Sequence, residues 1–235
     1  ISVISGYPLG AKMVADLRKT NILTKTEAER TLSFSSTSGP LFMIGAVSIS
    51  MLGNPSLAPL IIWPHYLGAI IIGLLFRNYY VSQKSESKVS LKRAFNLMHS
   101  KRLESEKSFG LMVSNALMNS INTLLLVLGV IAMFLIITTI INQNITLSLY
   151  NQSVLNGTLE MTQGLKYVSM LAIPLKNKAV LSIMFISFGG FSVHMQTIGL
   201  ISDTKIKYLP FLIARILHAS ISALLLYFLF DYWFM

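Results

Sequence analysis

Long apolar runs, each closed by a cluster of polar or basic residues, set the rhythm of the chain. Residues 32–52, 57–76, 120–141 and 180–201 contain no Asp, Glu, Lys or Arg. A fifth run, 209–230, is interrupted by Arg215 and His218. About 20 helical residues cross roughly 30 Å of hydrocarbon, so each run predicts a membrane-spanning helix. Between 145 and 175 the only charges are Glu160 and Lys166, and Asn156, Gly157 and Gly164 punctuate the pattern. That stretch is too long for one plain span and predicts a re-entrant hairpin. Residues 1–18 read as the second arm of another hairpin, its tip at Ser5, Gly6, Tyr7 and Pro8.

One run breaks its own rule. Residues 35–40 read SSTSGP inside the 32–52 span. Unpaired backbone N–H and C=O groups at membrane depth cost several kcal/mol each unless they meet protein, a cavity or a ligand. Broken helices therefore belong where something binds. Glycine permits tight tips, and Pro8 and Pro40 suit the first turn of a restarting helix, where a missing N–H does no harm. Helix N-termini attract carboxylates through free N–H donors and a partial positive charge. The hydroxyls of Ser35, Ser36, Thr37, Ser38 and Ser192 are suited to replace the hydration of an anion or of a coupling cation. Gly6 and Gly39 lie 33 positions apart, as do Gly157 and Gly190. A hairpin tip followed at one spacing by a broken span, twice over, predicts an inverted repeat with a site at the midplane.

Composition agrees with the pattern. Hydrophobic residues make up 53% of the chain and charged residues 12%, with a mean hydropathy of +0.64, which is the profile of a polytopic membrane protein. The absence of cysteine excludes disulfide frameworks, cysteine metal sites and cysteine nucleophiles. No signal peptide is visible and Ile1 already lies in an apolar run, so upstream sequence is expected. Lys and Arg gather in 12–30, in 77–107 and at Lys205 and Lys207, against Lys166, Lys176 and Lys178 on the opposite side, with Arg215 inside the last run. By the positive-inside rule the richer side is cytoplasmic. The net charge of +10 is then a matter of topology and needs no nucleic acid.

The segments SGYPLGAKMVADL, EAERTLSFSSTSGPLFMIGAV, LNGTLEMTQGL and FGGFSVHMQTIGLI, in that order, resemble the YlbJ family of sporulation integral membrane proteins. These are stage V sporulation proteins with a nucleoside-recognition (Gate) domain, and the likeness spans nearly the whole chain. The family is similar in organisation to concentrative nucleoside transporters, whose two hairpins and two unwound helices hold substrate and cation. The resemblance implies export of dipicolinic acid across the outer forespore membrane, from the mother cell toward the spore. It also implies further N-terminal helices, with this chain as the C-terminal part. By the same analogy the first tip maps to 5–8, the first unwound helix to 35–39, the second tip to 156–162 and the second unwound helix to 189–196. The acidic residue that nucleoside carriers have in their first hairpin is missing here, which fits an anionic substrate better than a nucleoside.

The expected fold is all-α: a polytopic membrane protein with an inverted repeat, two re-entrant hairpins and two broken transmembrane helices. Residues 1–76 form its first repeat, 77–107 a basic cytoplasmic loop, 108–144 a long amphipathic scaffold helix and 145–235 the second repeat. Substrate is expected at Ser5, Gly6, Tyr7, Ser36, Thr37, Ser38, Gly39, Asn156, Gly157, Glu160, Thr162, Gly190, Ser192, His194 and Gln196. Glu160 stands out as a carboxylate in an apolar segment, where function is the default. His194 is read either as a substrate contact or as a capping and packing residue. Arg215 and His218 share a helix face, either paired with backbone carbonyls or snorkelling to the interface, or else compensating a dianion. No cofactor is expected; the coupling ion is Na⁺ or H⁺, or absent in facilitated diffusion. The partners are a small anionic substrate and the bilayer, with homo-oligomerisation left open. No enzymatic activity is expected: Ser38 with His194 as base would resemble an intramembrane serine protease, but Ser36 stands where rhomboid-like enzymes need glycine. The remaining alternatives are a non-transporting sporulation scaffold and a carrier of nucleosides or other small solutes.

Overall fold

In a computed structural model the described residues, 2–79, 96, 99–100 and 108–234, form helices joined by turns and irregular segments, with no strand among them. Contacts divide the chain into one unit of residues 1–79 and 129–235 and a second of 80–128. The basic loop expected over 77–107 falls almost wholly outside the described residues. The helices are α1 (Ser2–Ser5), α2 (Leu9–Lys19), α3 (Lys25–Ser35), a π-helix (Phe42–Met51), α4 (Leu57–Phe76), α5 (Phe109–Asn144), α6 (Leu149–Leu159), α7 (Met161–Met170), α8 (Leu175–Phe188), α9 (Gly190–Ile201) and α10 (Tyr208–Trp233).

Among the described residues, four stretches are long and apolar enough to cross a membrane: Leu57–Phe76, Phe109–Asn144, Leu175–Thr204 and Tyr208–Trp233. The chain is an integral membrane protein. The run over 32–52 makes no continuous helix, because α3 stops at Ser35 and the chain resumes helical geometry at Pro40. The resumed segment winds as a π-helix, and Ser48 and Ser50 donate from Oγ to carbonyls five residues back, at Met43 and Gly45, each at 2.8 Å. Its hydroxyls thus bridge the wide i→i+5 turn, a geometry that clusters at functional sites.

Local chemistry sets the other boundaries. Thr24 and Glu27 form a reciprocal capping box that starts α3. Ser148 caps α6, accepting from the Asn151 N–H at 3.2 Å. Gly189 ends α8 in the left-handed region, φ +91°, and Gly190 follows at +67°. The expected second unwound stretch of 189–196 is accordingly narrower: the interruption is the glycine pair, and α9 is regular from Gly190 on. Gly157 also differs from expectation. The turn between α6 and α7 lies at Glu160, while Gly157 sits inside α6 with its Cα against Gly164, where any Cβ would collide.

Two cores hold the larger unit together. One joins Met43 and Val47 of the π-helix to Leu57, Leu60 and Ile61 of α4, Leu165 of α7, Ile183 and Ile186 of α8 and Leu226 of α10. The other packs Ala11, Val14 and Ala15 of α2 against Ala28 and Leu32 of α3, Ile201 of α9 and Phe211 of α10. The side chains of the apolar stretch of α5 are largely exposed.

Candidate functional site

Two interruptions define the site: residues 36–39 between α3 and the π-helix, and the Gly189–Gly190 elbow between α8 and α9. Each is met by the turn of a helical pair. A Cβ on Gly6, in the turn between α1 and α2, would stand 3.0 Å from the Gly39 nitrogen. A Cβ on Gly190 would stand 3.0 Å from the Met161 nitrogen and 3.4 Å from Glu160 Cα, in the turn between α6 and α7. The four motifs therefore meet as two pairs, each a turn against an interruption.

Three backbone groups of the first break, the Ser36 and Ser38 carbonyls and the Ser38 N–H, meet side chains from α4 and α10. Arg215, fully buried on α10, donates from Nη1 to the Ser36 carbonyl at 2.5 Å and from Nη2 to the Ser33 carbonyl at 2.6 Å. These carbonyls lie where α3 ends, where intrahelical donors run out and the helix dipole favours a cation. The guanidinium fork thus serves as a charged C-cap. Pairing with backbone carbonyls, one of the two expectations for Arg215, describes these contacts. The Tyr66 hydroxyl lies 2.9 Å from the Ser38 carbonyl and 3.0 Å from the Val3 carbonyl, its one proton shared between them, which ties the break to α1. The Ser38 N–H donates to His65 Nε2 at 3.0 Å.

That last contact fixes the His65 tautomer. With Nε2 accepting, the proton sits on Nδ1, which donates to Ser187 Oγ at 2.9 Å. His218 donates from Nε2 to the His65 carbonyl at 2.7 Å, and their rings lie 4.8 Å apart. Ser222 donates to the Pro64 carbonyl at 3.2 Å. Pro64 and His65 lie inside α4, so α10 presses its polar groups onto carbonyls beside a proline.

The last three residues before the glycine elbow are each held from a different element. Tyr7 donates to the Ile186 carbonyl at 3.0 Å, His65 to Ser187, and His194 Nε2 to the Phe188 carbonyl at 3.1 Å. His194 Nδ1 lies 2.7 Å from the Tyr208 hydroxyl, and the rings of Phe188, Phe191, Tyr208 and Phe211 surround it. Both its nitrogens are engaged, one of them on a carbonyl at the end of α8.

Glu160 is buried and caps α7, its Oε2 accepting from the Gln163 N–H at 2.9 Å and from the Thr162 hydroxyl. Asn156 is buried and exchanges amide hydrogen bonds with Asn142 of α5, at 3.2 and 3.4 Å. In contrast, the hydroxyls of Ser36, Thr37, Ser192 and Thr197 are buried with no hydrogen-bond partner among the described residues. Most buried polar side-chain atoms in proteins are paired. Ser36 and Thr37 lie in the first break; Ser192 and Thr197 lie on α9, beyond the elbow. Of the expected residues, Ser5, Gly6 and Tyr7 line the first turn, Gln196 is buried on α9 and Gly157 sits at the helix crossing instead.

His65, Tyr66, Ser187 and Tyr208 escaped the sequence reading. An imidazole in an otherwise uncharged span was a visible signal for His65. The others are ordinary residues whose roles come from tertiary partners.

Comparison with known proteins finds a curated relative: the chain is 33% identical over 249 aligned residues to the sporulation integral membrane protein YlbJ of Bacillus subtilis (strain 168). The alignment takes in 95% of this chain and about 60% of the relative's length. No family model and no solved structure matches.

Proposed function

We infer, for a chain that belongs over its aligned length to the YlbJ family of sporulation integral membrane proteins, that it forms the binding core of a carrier for a small carboxylate solute. Dipicolinic acid crossing the outer forespore membrane is the solute and setting the family resemblance favours. In this reading α1–α2 and α6–α7 are re-entrant hairpins in two inverted halves, and the Lys- and Arg-rich side is cytoplasmic. Their tips and the two breaks form the midplane site, and the reaction is transport without covalent chemistry.

One observation carries the proposal: buried hydroxyls at and beyond the two breaks, Ser36 and Thr37 with Ser192 and Thr197, for which the described residues offer no partner. Burying a hydroxyl without a hydrogen bond costs on the order of 1–3 kcal/mol by protein mutational data. A ligand carboxylate or a cation would recover that cost. Helix N-termini at Pro40 and Gly190 supply further N–H donors beside those hydroxyls. The hairpin-bearing elements would move as a body past the rest of the unit to alternate access.

A non-transporting membrane scaffold is the second reading. It is favoured by the first break being held by Arg215, Tyr66 and His65, since a break satisfied by protein needs no ligand to exist. Uptake of labelled dipicolinate into liposomes containing the intact protein separates the two. A carrier gives saturable uptake that falls in Ser36→Ala, Ser38→Ala and Glu160→Gln. Folded protein with no uptake under any imposed Na⁺ or H⁺ gradient rejects transport and leaves the scaffold.

A further inference from the structure

A buried positive charge stands at the first break without a counter-ion among the described residues. Arg215 has no exposed surface, and its contacts through Nη1 and Nη2 are to neutral carbonyls, those of Ser36 and Ser33. Its Nε is buried and meets no hydrogen-bond partner among the described residues. Every acidic residue of the described chain is placed elsewhere. Glu27 accepts from the Thr24 N–H, Glu29 from the Lys207 N–H and Glu160 from the Gln163 N–H. Asp16, Asp203 and Asp231 are exposed, the last two facing Lys19 and Lys176.

Other groups reduce this charge without cancelling it. The dipole of α3, whose C-terminal carbonyls Arg215 holds, is equivalent to about half an elementary charge. The Phe211 ring, centred 5.4 Å from the guanidinium carbon, offers a quadrupole and no net charge. The ionisable side chains that face the guanidinium are Tyr7, His65, His194 and His218. Near neutral pH a phenol is uncharged and an imidazole is uncharged or positive, so none of them supplies the missing charge. A charge taken out of water is costly unless it is paired, and inside a membrane segment it marks a functional site by default.

The hydroxyls of Ser36 and Thr37, buried without a partner among the described residues, belong to the same break. Ser36 presents its carbonyl to Nη1, so an anion accepting from the Ser36 hydroxyl lies within the length of one residue of the guanidinium. Where water is excluded, attraction at that range is many times its value in bulk water.

We propose that Arg215 is the specificity-determining residue of the site: besides capping α3, its uncompensated charge selects anionic solutes over neutral ones of the same shape, and a carboxylate of the solute becomes its counter-ion. The assignment rests on the carrier reading and adds to it the group that recognises charge. Hydroxyls by themselves donate to an amide oxygen as well as to a carboxylate; the guanidinium is what separates the two.

Two solutes of one shape test it: dipicolinate, and its diamide, which is neutral. Each is titrated calorimetrically into the intact protein in lipid nanodiscs. The diamide is expected to bind about 10- to 100-fold more weakly, the worth of one hydrogen bond to a charged group. Arg215→Lys, which keeps the charge, should preserve that order, and Arg215→Gln should bring the two affinities together. Equal affinities in the parent overturn the proposal whether or not either variant folds, and so does an order that survives in folded Arg215→Gln, as a purely structural role requires. Binding of neither solute by folded parent rejects it as well. Liposome uptake of dipicolinate alongside equal affinities rejects Arg215 as the selector and keeps the carrier; a charge order without uptake keeps the anion site and rejects the carrier.

Discussion

Gly6 and Gly39 meet backbone to backbone, with a Cβ on Gly6 destined to stand 3.0 Å from the Gly39 nitrogen and Gly6 itself at φ +75°. Steric contact and a left-handed conformation both disfavour a side chain there. Gly6→Ala is expected to destabilise by about 1–2 kcal/mol from the conformation alone, and Gly190→Ala, at φ +67° with Met161 N 3.0 Å away, by a similar amount. Gly45→Ala meets nothing within 4 Å and serves as the control. Unfolding in detergent micelles reads all three; equal midpoints for Gly6→Ala and Gly45→Ala would remove the close approach from the account.

Arg215→Leu leaves the Ser33 and Ser36 carbonyls buried without their donors. Each orphaned group costs about 1–3 kcal/mol, so the variant is expected to be among the most destabilised single substitutions in the unit. Arg215→Lys retains charge but loses the planar fork that reaches both carbonyls, and should fall between the two. Thermal unfolding of the three proteins should rank them parent, Lys, Leu; a Lys variant as stable as the parent would show that charge alone suffices.

Glu160 joins a helix cap to a charge, and two substitutions separate these roles. Glu160→Gln keeps an acceptor for the Gln163 N–H and is expected to unfold near the parent, while Glu160→Ala loses the cap at a cost of about 0.5–2 kcal/mol. If the charge serves transport, both lose dipicolinate uptake although only one loses stability. Uptake that follows stability through the series would assign Glu160 to the cap alone.

Acid should weaken the start of α3. The backbone N–H of Thr24 on the Glu27 carboxylate, with the Thr24 hydroxyl in support, holds that carboxyl below its ordinary value. A lowered folded value means a contribution that is complete above the unfolded carboxyl's titration and is lost as pH falls through the folded one. Thr24→Ala should cost about 0.5–2 kcal/mol near neutral pH but keeps the backbone N–H, whereas Glu27→Gln, which does not titrate, should flatten the acid limb of stability against pH. An unchanged limb in Glu27→Gln would assign that slope to another group.

Long periodic features were readable from the chain, and so were the places where periodicity failed. Apolar runs located the spanning helices; SSTSGP and the glycines at 6, 39 and 189–190 located the breaks, because backbone geometry there depends on local residue type. The extent of a break is another matter. Residues 191–196 carry polar groups, yet they are helical, since a left-handed glycine pair turns the chain without unwinding the helix beyond it. The partners were hidden for a different reason. Nothing in the spacing of Arg215, His65 or Tyr66 states which carbonyl each will meet, and Ser187 becomes a contact only when α4 and α8 are packed.

The two interruptions differ mechanically as well as in length. At the elbow, direction is set by the sterics of two glycines, and changing it means moving two φ angles together. Across residues 36–39, direction is set by hydrogen bonds from separate side chains, which can be exchanged one at a time. The first interruption is thus shaped by its neighbours, while the second carries its bend in its own two glycines and has the residues just before it fastened by Tyr7, His65 and His194.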